Sequence, residues 1–258
     1  MARRISIFTF GVLSYALFFT VFLYAAGFMS NWLVPKSVDS GPAPELGIAI
    51  AVDLGLLGLF AVQHSVMARP AFKRGWTRIV PSEGERSVYV LASSLAMIAL
   101  FAWWRPMQGV VWRLDGELAR GIAWAGMALG VVTILYSTFL IDHFDLFGLR
   151  QAWLALRGRA YTSRPFGTPG LYKHIRHPLY VGWFLFFWCT PDMTLGHLSM
   201  ALGTTAYILV AIVLEERDLL QHFGADYRAW RVRTPLFIPH FGSKSATPDK
   251  SRGVAEAV

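Results

Sequence analysis

Uncharged stretches divide this chain before any single residue draws the eye. No charged residue falls between Ile5 and Met29, between Ser87 and Trp104, or between Gly121 and Ile141, and Leu46–Met67 carries only Asp53. A further apolar stretch, Leu179–Leu214, is interrupted only around Pro191 and Asp192, with His197 beyond. A helix crosses the ~30 Å hydrocarbon layer with about 20 apolar residues, and the first four stretches meet that length. Strands fail as an explanation because the runs are too long and too continuous, whereas helices satisfy their own backbone in lipid. The pattern predicts an all-α, polytopic transmembrane helical bundle with four clear spans and a C-terminal helical hairpin, five or six spans in all. The first half of the hairpin, Leu179–Thr190, is short enough to be re-entrant or sheltered by protein.

Composition agrees with the pattern. Hydrophobic residues make up 55% of the 258 and charged residues only 16%, against about a quarter charged in soluble domains. That excludes a disordered chain and a solvated bundle. The formal net charge of +8 would suggest an anionic partner, but its distribution assigns it mostly to topology. With six crossings, alternate connecting segments carry 20 of the 24 Lys and Arg residues and the others carry 4. The positive-inside rule then predicts cytoplasmic termini and two long cytoplasmic loops, 68–86 and 142–178. The basic residues meet the lipid surface, and no clustered basic face argues for nucleic acid. Arg3 and Arg4 before the first run read as an uncleaved signal anchor. The single Cys189 sits in an apolar run, so neither an intrachain disulfide nor a thiolate metal cluster is expected. Residues 1–240 read as one integral membrane domain and 241–258 as a disordered tail.

Ionisable groups at a membrane boundary are costly and point to function. Three clusters qualify. The first, on the second span, is Asp53 followed by Gln63-His64-Ser65; nearby Gly55 and Gly58 would admit a close helix neighbour. The second is Asp142-His143-Phe144-Asp145-Leu146-Phe147-Gly148-Leu149-Arg150, where the fourth span emerges. The third joins Tyr172, Arg176, His177, Pro178 and Tyr180, at the opening of the hairpin, to Glu215 and Glu216 at its close. Pro178 suits a first helical turn, so free backbone N–H groups beside Arg176 and His177 would favour an anionic ligand. Together the clusters describe a cytoplasmic-facing pocket with acids, Arg, His and aromatic groups. Those residue types fit S-adenosylmethionine, and they fit a nicotinamide cofactor or a haem nearly as well.

The motif Ile-Arg-His-Pro-Leu-Tyr-Val-Gly (175–182), followed by Glu-Glu-Arg-Asp-Leu (215–219) and Phe-Gly-Ala-Asp-Tyr-Arg-Ala-Trp (223–230), resembles the isoprenylcysteine carboxyl methyltransferase and phospholipid methyltransferase superfamily. Gln63-His64-Ser65-Val66-Met67-Ala68-Arg69 and His143–Gln151 are similar to the nurim and NnrU-related branch. Within that branch, residues from about Leu46 to Pro239 resemble the bacterial methanethiol S-methyltransferases. The resemblance implies S-adenosyl-L-methionine as methyl donor and a small thiol as acceptor. It implies Tyr172, Arg176, His177, Tyr180, Gly182, Glu215 and Glu216 around the cofactor. It leaves His64, His143, Asp145 and Arg150 as candidates for the acceptor side, with His64 or a His143–Asp145 pair as base. Phe144 and Phe147 are then candidates for limiting the acceptor's size. The same branch keeps open a non-enzymatic membrane protein and a reductase linked to nitrogen oxides.

Overall fold

The computed structural model describes residues 1–239; the tail expected to be disordered lies outside them. Five helices are long and apolar enough to cross a membrane: α1 (Ala2–Ser30), α2 (Leu46–Ala68), α4 (Ser82–Trp103), α5 (Glu117–Ile141) and α9 (Leu195–Arg233). Between them lie the short helices α3 (Pro70–Trp76), α6 (His143–Leu146), α7 (Leu149–Leu156) and α8 (Pro178–Trp188). The protein is a polytopic helical bundle and an integral membrane protein. Its outer surface fits that solvent: Leu13, Leu54, Val62, Leu129, Val132 and Val210 are all exposed, a density of bare apolar side chains that water would penalise. The core between helices is aromatic, with Phe28, Phe101, Trp104 and Phe186 buried.

The sixth passage between the ends of the bundle is made by a helix too short to cross alone. The 11 residues of α8 span about 16 Å at 1.5 Å per residue. From Cys189 the chain continues extended into β2 (Asp192–Thr194), which pairs antiparallel with β1 (Val110–Arg113) at the far end. Non-helical backbone at membrane depth is tolerated where protein covers it, and Thr190, Pro191 and Met193 are buried. The close partner of α8 is α5. A Cβ on Gly130 would come within 2.6 Å of the Phe186 nitrogen, and one on Gly182 within 2.8 Å of the Ile134 nitrogen. Gly126, one turn earlier, faces Cys189. The small-residue contact thus lies on α5 and α8; Gly55 and Gly58 of α2, expected to provide one, face open space.

The two ends differ. At the far end the ribbon is fastened by Asp192, which takes hydrogen bonds from Arg120 at 2.9 Å and Arg113 at 3.2 Å. The Arg120 guanidinium holds the Asp192 carboxyl below the usual carboxylate range. Asp53 also belongs to this end, 1% exposed, and accepts the Arg105 backbone N–H at 2.8 Å. It therefore does not join His64, as its place on the same span had suggested. The other end gathers the N-terminus, residues 68–86, residues 142–178 and the end of α9. Arg69 of the α2–α3 junction reaches Asp218 of α9 there at 2.8 Å.

Candidate functional site

The hairpin closes as its motifs predicted. The start of α8 lies beside the middle of α9, about two turns before Gly224, and the side chains interlock. Arg176 donates to Glu216 Oε1 at 2.7 Å, and His177 Nε2 lies 3.3 Å from the same oxygen. Tyr180 donates to Glu215 Oε2 at 2.8 Å and stacks on His177 with ring centroids 5.3 Å apart. Glu216 is buried, while the Glu215 side chain is 45% exposed. A buried carboxylate needs compensation from every side, and a third cation supplies it: Arg231 Nε lies 3.0 Å from Glu216 Oε2.

Arg231 arrives through a backbone break. Gly224 has φ 55° and ψ −116°, a non-helical conformation inside α9 that a residue with a Cβ adopts only under strain. Beyond it the helix turns back over the cluster. Trp230 Nε1 donates to the Tyr172 carbonyl at 3.2 Å, and burial near Glu215 pushes the Tyr172 phenol pKa up. The chain then runs on so that Pro235 and Leu236 carbonyls accept the Arg176 and His177 backbone N–H groups, at 2.9 and 3.2 Å. These N–H groups, expected to be free for an anionic ligand, are thus used by the returning strap. Gly182 lies one turn deeper, against the α5 backbone rather than in the cluster.

His64 occupies a second group nearby. Its Nε2 is 2.8 Å from the Tyr89 hydroxyl and its Nδ1 is 3.1 Å from Ser93 Oγ, to which Gln63 also donates. Phe60 stacks on the imidazole at 5.1 Å, and Tyr207 approaches edge-on at 6.3 Å while its hydroxyl accepts from Ser65. Tyr207 and Tyr89 both lie within electrostatic reach of Tyr180, so the His64 group is a neighbour of the Glu215 group. Tyr207 and Glu215 are two turns apart on α9, about 12 Å along its axis.

His143 is elsewhere, between α1, α5 and α6. It is 2% exposed, with Tyr15 Oη 2.8 Å from Nε2 and Thr138 Oγ1 2.8 Å from Nδ1. Phe139 stacks on it at 4.2 Å and Phe147 packs against it, itself stacked on Phe18 at 4.0 Å. Burial pushes the imidazole pKa down. Asp145 faces away, paired with Arg150 at 2.8 Å and accepting the Tyr161 hydroxyl at 3.2 Å. Its bond to Asp145 holds the Arg150 guanidinium above its ordinary pKa. The structure therefore forms no His143–Asp145 pair. Phe144 is half exposed beside His143 and does not wall the His64 group.

Comparison with known proteins decides the family. The chain is 50% identical to Methanethiol S-methyltransferase 2 of Bradyrhizobium diazoefficiens over 253 residues, covering 97% of this chain and 96% of that protein. It is 48% identical to Methanethiol S-methyltransferase of Mycobacterium tuberculosis over 239 residues, 93% and 98% of the two chains. This chain belongs to the methanethiol S-methyltransferase family. A Nurim homolog of Drosophila melanogaster is 31% identical over 172 residues, 64% of this chain and 68% of that protein. No family model and no solved structure matches the sequence.

Within this methyltransferase-family chain, sequence reasoning missed the hydroxyls around His64. Tyr89 and Ser93 fall in a run treated as plain span because it carries no charge, yet they lie four residues apart on α4 and so share a face. Tyr207 sits eight residues before Glu215 and was passed over for the same reason. Arg231 was beyond reach, because only the Gly224 turn brings it back.

Proposed function

We propose that this chain catalyses S-adenosyl-L-methionine-dependent methylation of methanethiol to dimethyl sulfide. The site is the basic end of the bundle, which we take as the cytoplasmic face, with both termini cytoplasmic in a bacterial inner membrane. What carries this reading is the ion-paired group of Arg176, His177, Tyr180, Glu215 and Glu216 beside the His64 hydroxyl network, in a chain half identical to proteins named for the reaction.

The donor set suits this cofactor. Carboxylates match an ammonium and ribose hydroxyls, Arg matches a carboxylate, and Tyr and His rings offer stacking faces. Arg176 Nε and the Tyr227 hydroxyl are buried without partners, and buried polar groups rarely stay so. Arg176, His177, Tyr172, Tyr180 and Glu215 would hold the cofactor. Glu216 would set the charge of the pocket by engaging Arg176 and Arg231, and Gly182 would set the depth of α8 by its contact with α5. When bound, S-adenosylmethionine supplies an electrophilic sulfonium methyl for in-line displacement by the acceptor sulfur.

The remaining work is to make a thiolate. A free thiol is mostly protonated at neutral pH, as the cysteine pKa near ~8.5 illustrates. His64 Nε2 takes the thiol proton, as general base, once the thiol displaces the Tyr89 hydroxyl that occupies this nitrogen at 2.8 Å, while Ser93 at Nδ1 holds the ring in plane. Phe60 and Tyr207, packed on two sides of His64, would keep water from the nucleophile and limit the acceptor by size. Selection by one methylene is worth only ~1–3 kcal/mol, so hydrogen sulfide and ethanethiol are expected as slow alternative acceptors. Asp145, Arg150 and Tyr161 brace the cytoplasmic loop, and His143 anchors it to α1.

The test is headspace detection of dimethyl sulfide from membranes containing the chain, supplied with methanethiol and methyl-labelled donor. Label in dimethyl sulfide is expected. NADPH oxidation or a coloured preparation without methyl transfer would replace this reading with a reductase.

A further inference from the structure

A cavity apart from the ion-paired cluster lies at the basic end, where the starts of α1 and α4 meet the end of α7. It has a volume of about 250 Å3 and is lined by Arg3, Arg4, Ile7, Glu83, Gly158 and Arg159, among others. We propose that this cavity binds the phosphate headgroup of an acidic phospholipid, whose acyl chains lie along the outer face of α1. The proposal does not depend on methyl transfer.

Three observations carry it. The first is charge. Three guanidinium groups meet one carboxylate, Glu83, which lies 3.7 Å from Arg3. Arg4 and Arg159 pair with no carboxylate among the described residues. Guanidinium forks suit phosphate oxygens in shape as well as charge.

The second is that the cavity is built. α7 lies flush on α1, since a Cβ on Gly11 would come within 2.8 Å of the Ala152 Cβ. The turn just after α7 places Gly158 at φ +66°, and a side chain there would come within 2.5 Å of Arg4 Nη1. The glycine lets the Arg4 guanidinium lie against the turn and holds the arginines in one place.

The third is what borders the cavity. Ile5 and Leu13 on α1 are exposed. Phe8 packs on Trp153 with centroids 5.8 Å apart, and the half-exposed Trp153 also carries the Arg157 guanidinium at 5.6 Å. A tryptophan beside arginines at the end of an uncharged helix marks the headgroup level of a bilayer. A soluble anion would have no use for this apolar border, whereas a lipid uses both parts, and basic pockets at helix ends are the usual sites for acidic headgroups.

The test uses the full chain purified in an uncharged detergent. Phosphatidylglycerol, phosphatidylcholine with the same acyl chains, and inorganic phosphate are compared by native mass spectrometry and thermal melting. Phosphatidylglycerol should be retained and raise the melting temperature by several degrees, the other two having little effect. The double variant R4Q/R159Q should weaken phosphatidylglycerol binding about ten-fold or more, with its lipid-free melting temperature as the check on folding. Glu83→Gln should do the opposite and strengthen binding several-fold, so it decides the matter if the double variant does not fold. Equal retention of the two lipids would overturn the proposal, as would equal stabilisation by inorganic phosphate or indifference to both variants.

Discussion

His64 and His143 look alike in sequence, each with a phenylalanine four residues earlier where a span meets the same end of the bundle, yet their surroundings differ. Around His143 the hydroxyls of Tyr15 and Thr138 take the two ring nitrogens, and aromatic rings close the remaining faces. Around His64 the partners are again hydroxyls, Tyr89 and Ser93, but Tyr89 and the neighbouring Tyr207 lie near Tyr180 of the ion-paired cluster. Having hydrogen bonds does not separate a working imidazole from a structural one. What separates them is whether those bonds lead toward a polar cluster or stop at the core.

The largest expected effect tests that contrast directly. His64→Ala should lower kcat for dimethyl sulfide formation by about 100-fold or more, the scale of general-base catalysis, with little change in melting temperature. His143→Ala should do the reverse, losing several degrees of melting temperature while keeping turnover within about ten-fold. If both lost turnover equally at unchanged stability, the contrast would collapse. Next is Glu216→Gln, which leaves Arg176 and Arg231 without a charged partner; breaking a buried pair costs about 3–5 kcal/mol. Donor affinity by calorimetry should fall at least as far as in His177→Ala, and melting should drop as well.

Gly224→Ala is expected to cost about 1–3 kcal/mol of backbone strain. Because it disturbs the approach of Arg231, KM for the donor should rise while kcat changes little. Tyr89→Phe should have a smaller effect on rate and show mainly as a displaced pH profile of kcat/KM, since the lost hydroxyl touches His64 alone among the candidate bases. The smallest expected effect concerns His143. Burial lowers its folded pKa, so the unfolded chain binds the extra proton first, near pH ~6.5. Its contribution to stability is therefore complete above that pH and is lost as pH falls. His143→Gln should flatten this part of the melting-temperature profile in detergent.

The spans were legible because lipid imposes one rule on every residue of a crossing, and an uncharged run reports it directly. The pairing of Arg176 and Tyr180 with Glu215 and Glu216 was legible for a topological reason: a hairpin must bring its ends together. Asp53 was misplaced because sharing a helix with His64 does not bring it to the same end, and eleven positions separate them by about 16 Å. The hydroxyls of Tyr89, Ser93 and Tyr207 were missed because uncharged polar groups do not interrupt an apolar run. Arg231 and the Pro235–Leu236 strap depend on a single backbone conformation at Gly224, which no periodicity announces.

The short α8 also has a consequence for how the protein is made. Eleven helical residues followed by Cys-Thr-Pro-Asp offer an insertion machine too little to recognise as a span. The segment has to enter the bilayer late, leaning on the glycine face of α5 and drawn in with α9. Enlarging Gly130 should therefore appear first as chains with the C-terminal third on the wrong side of the membrane, rather than as a finished bundle that melts early.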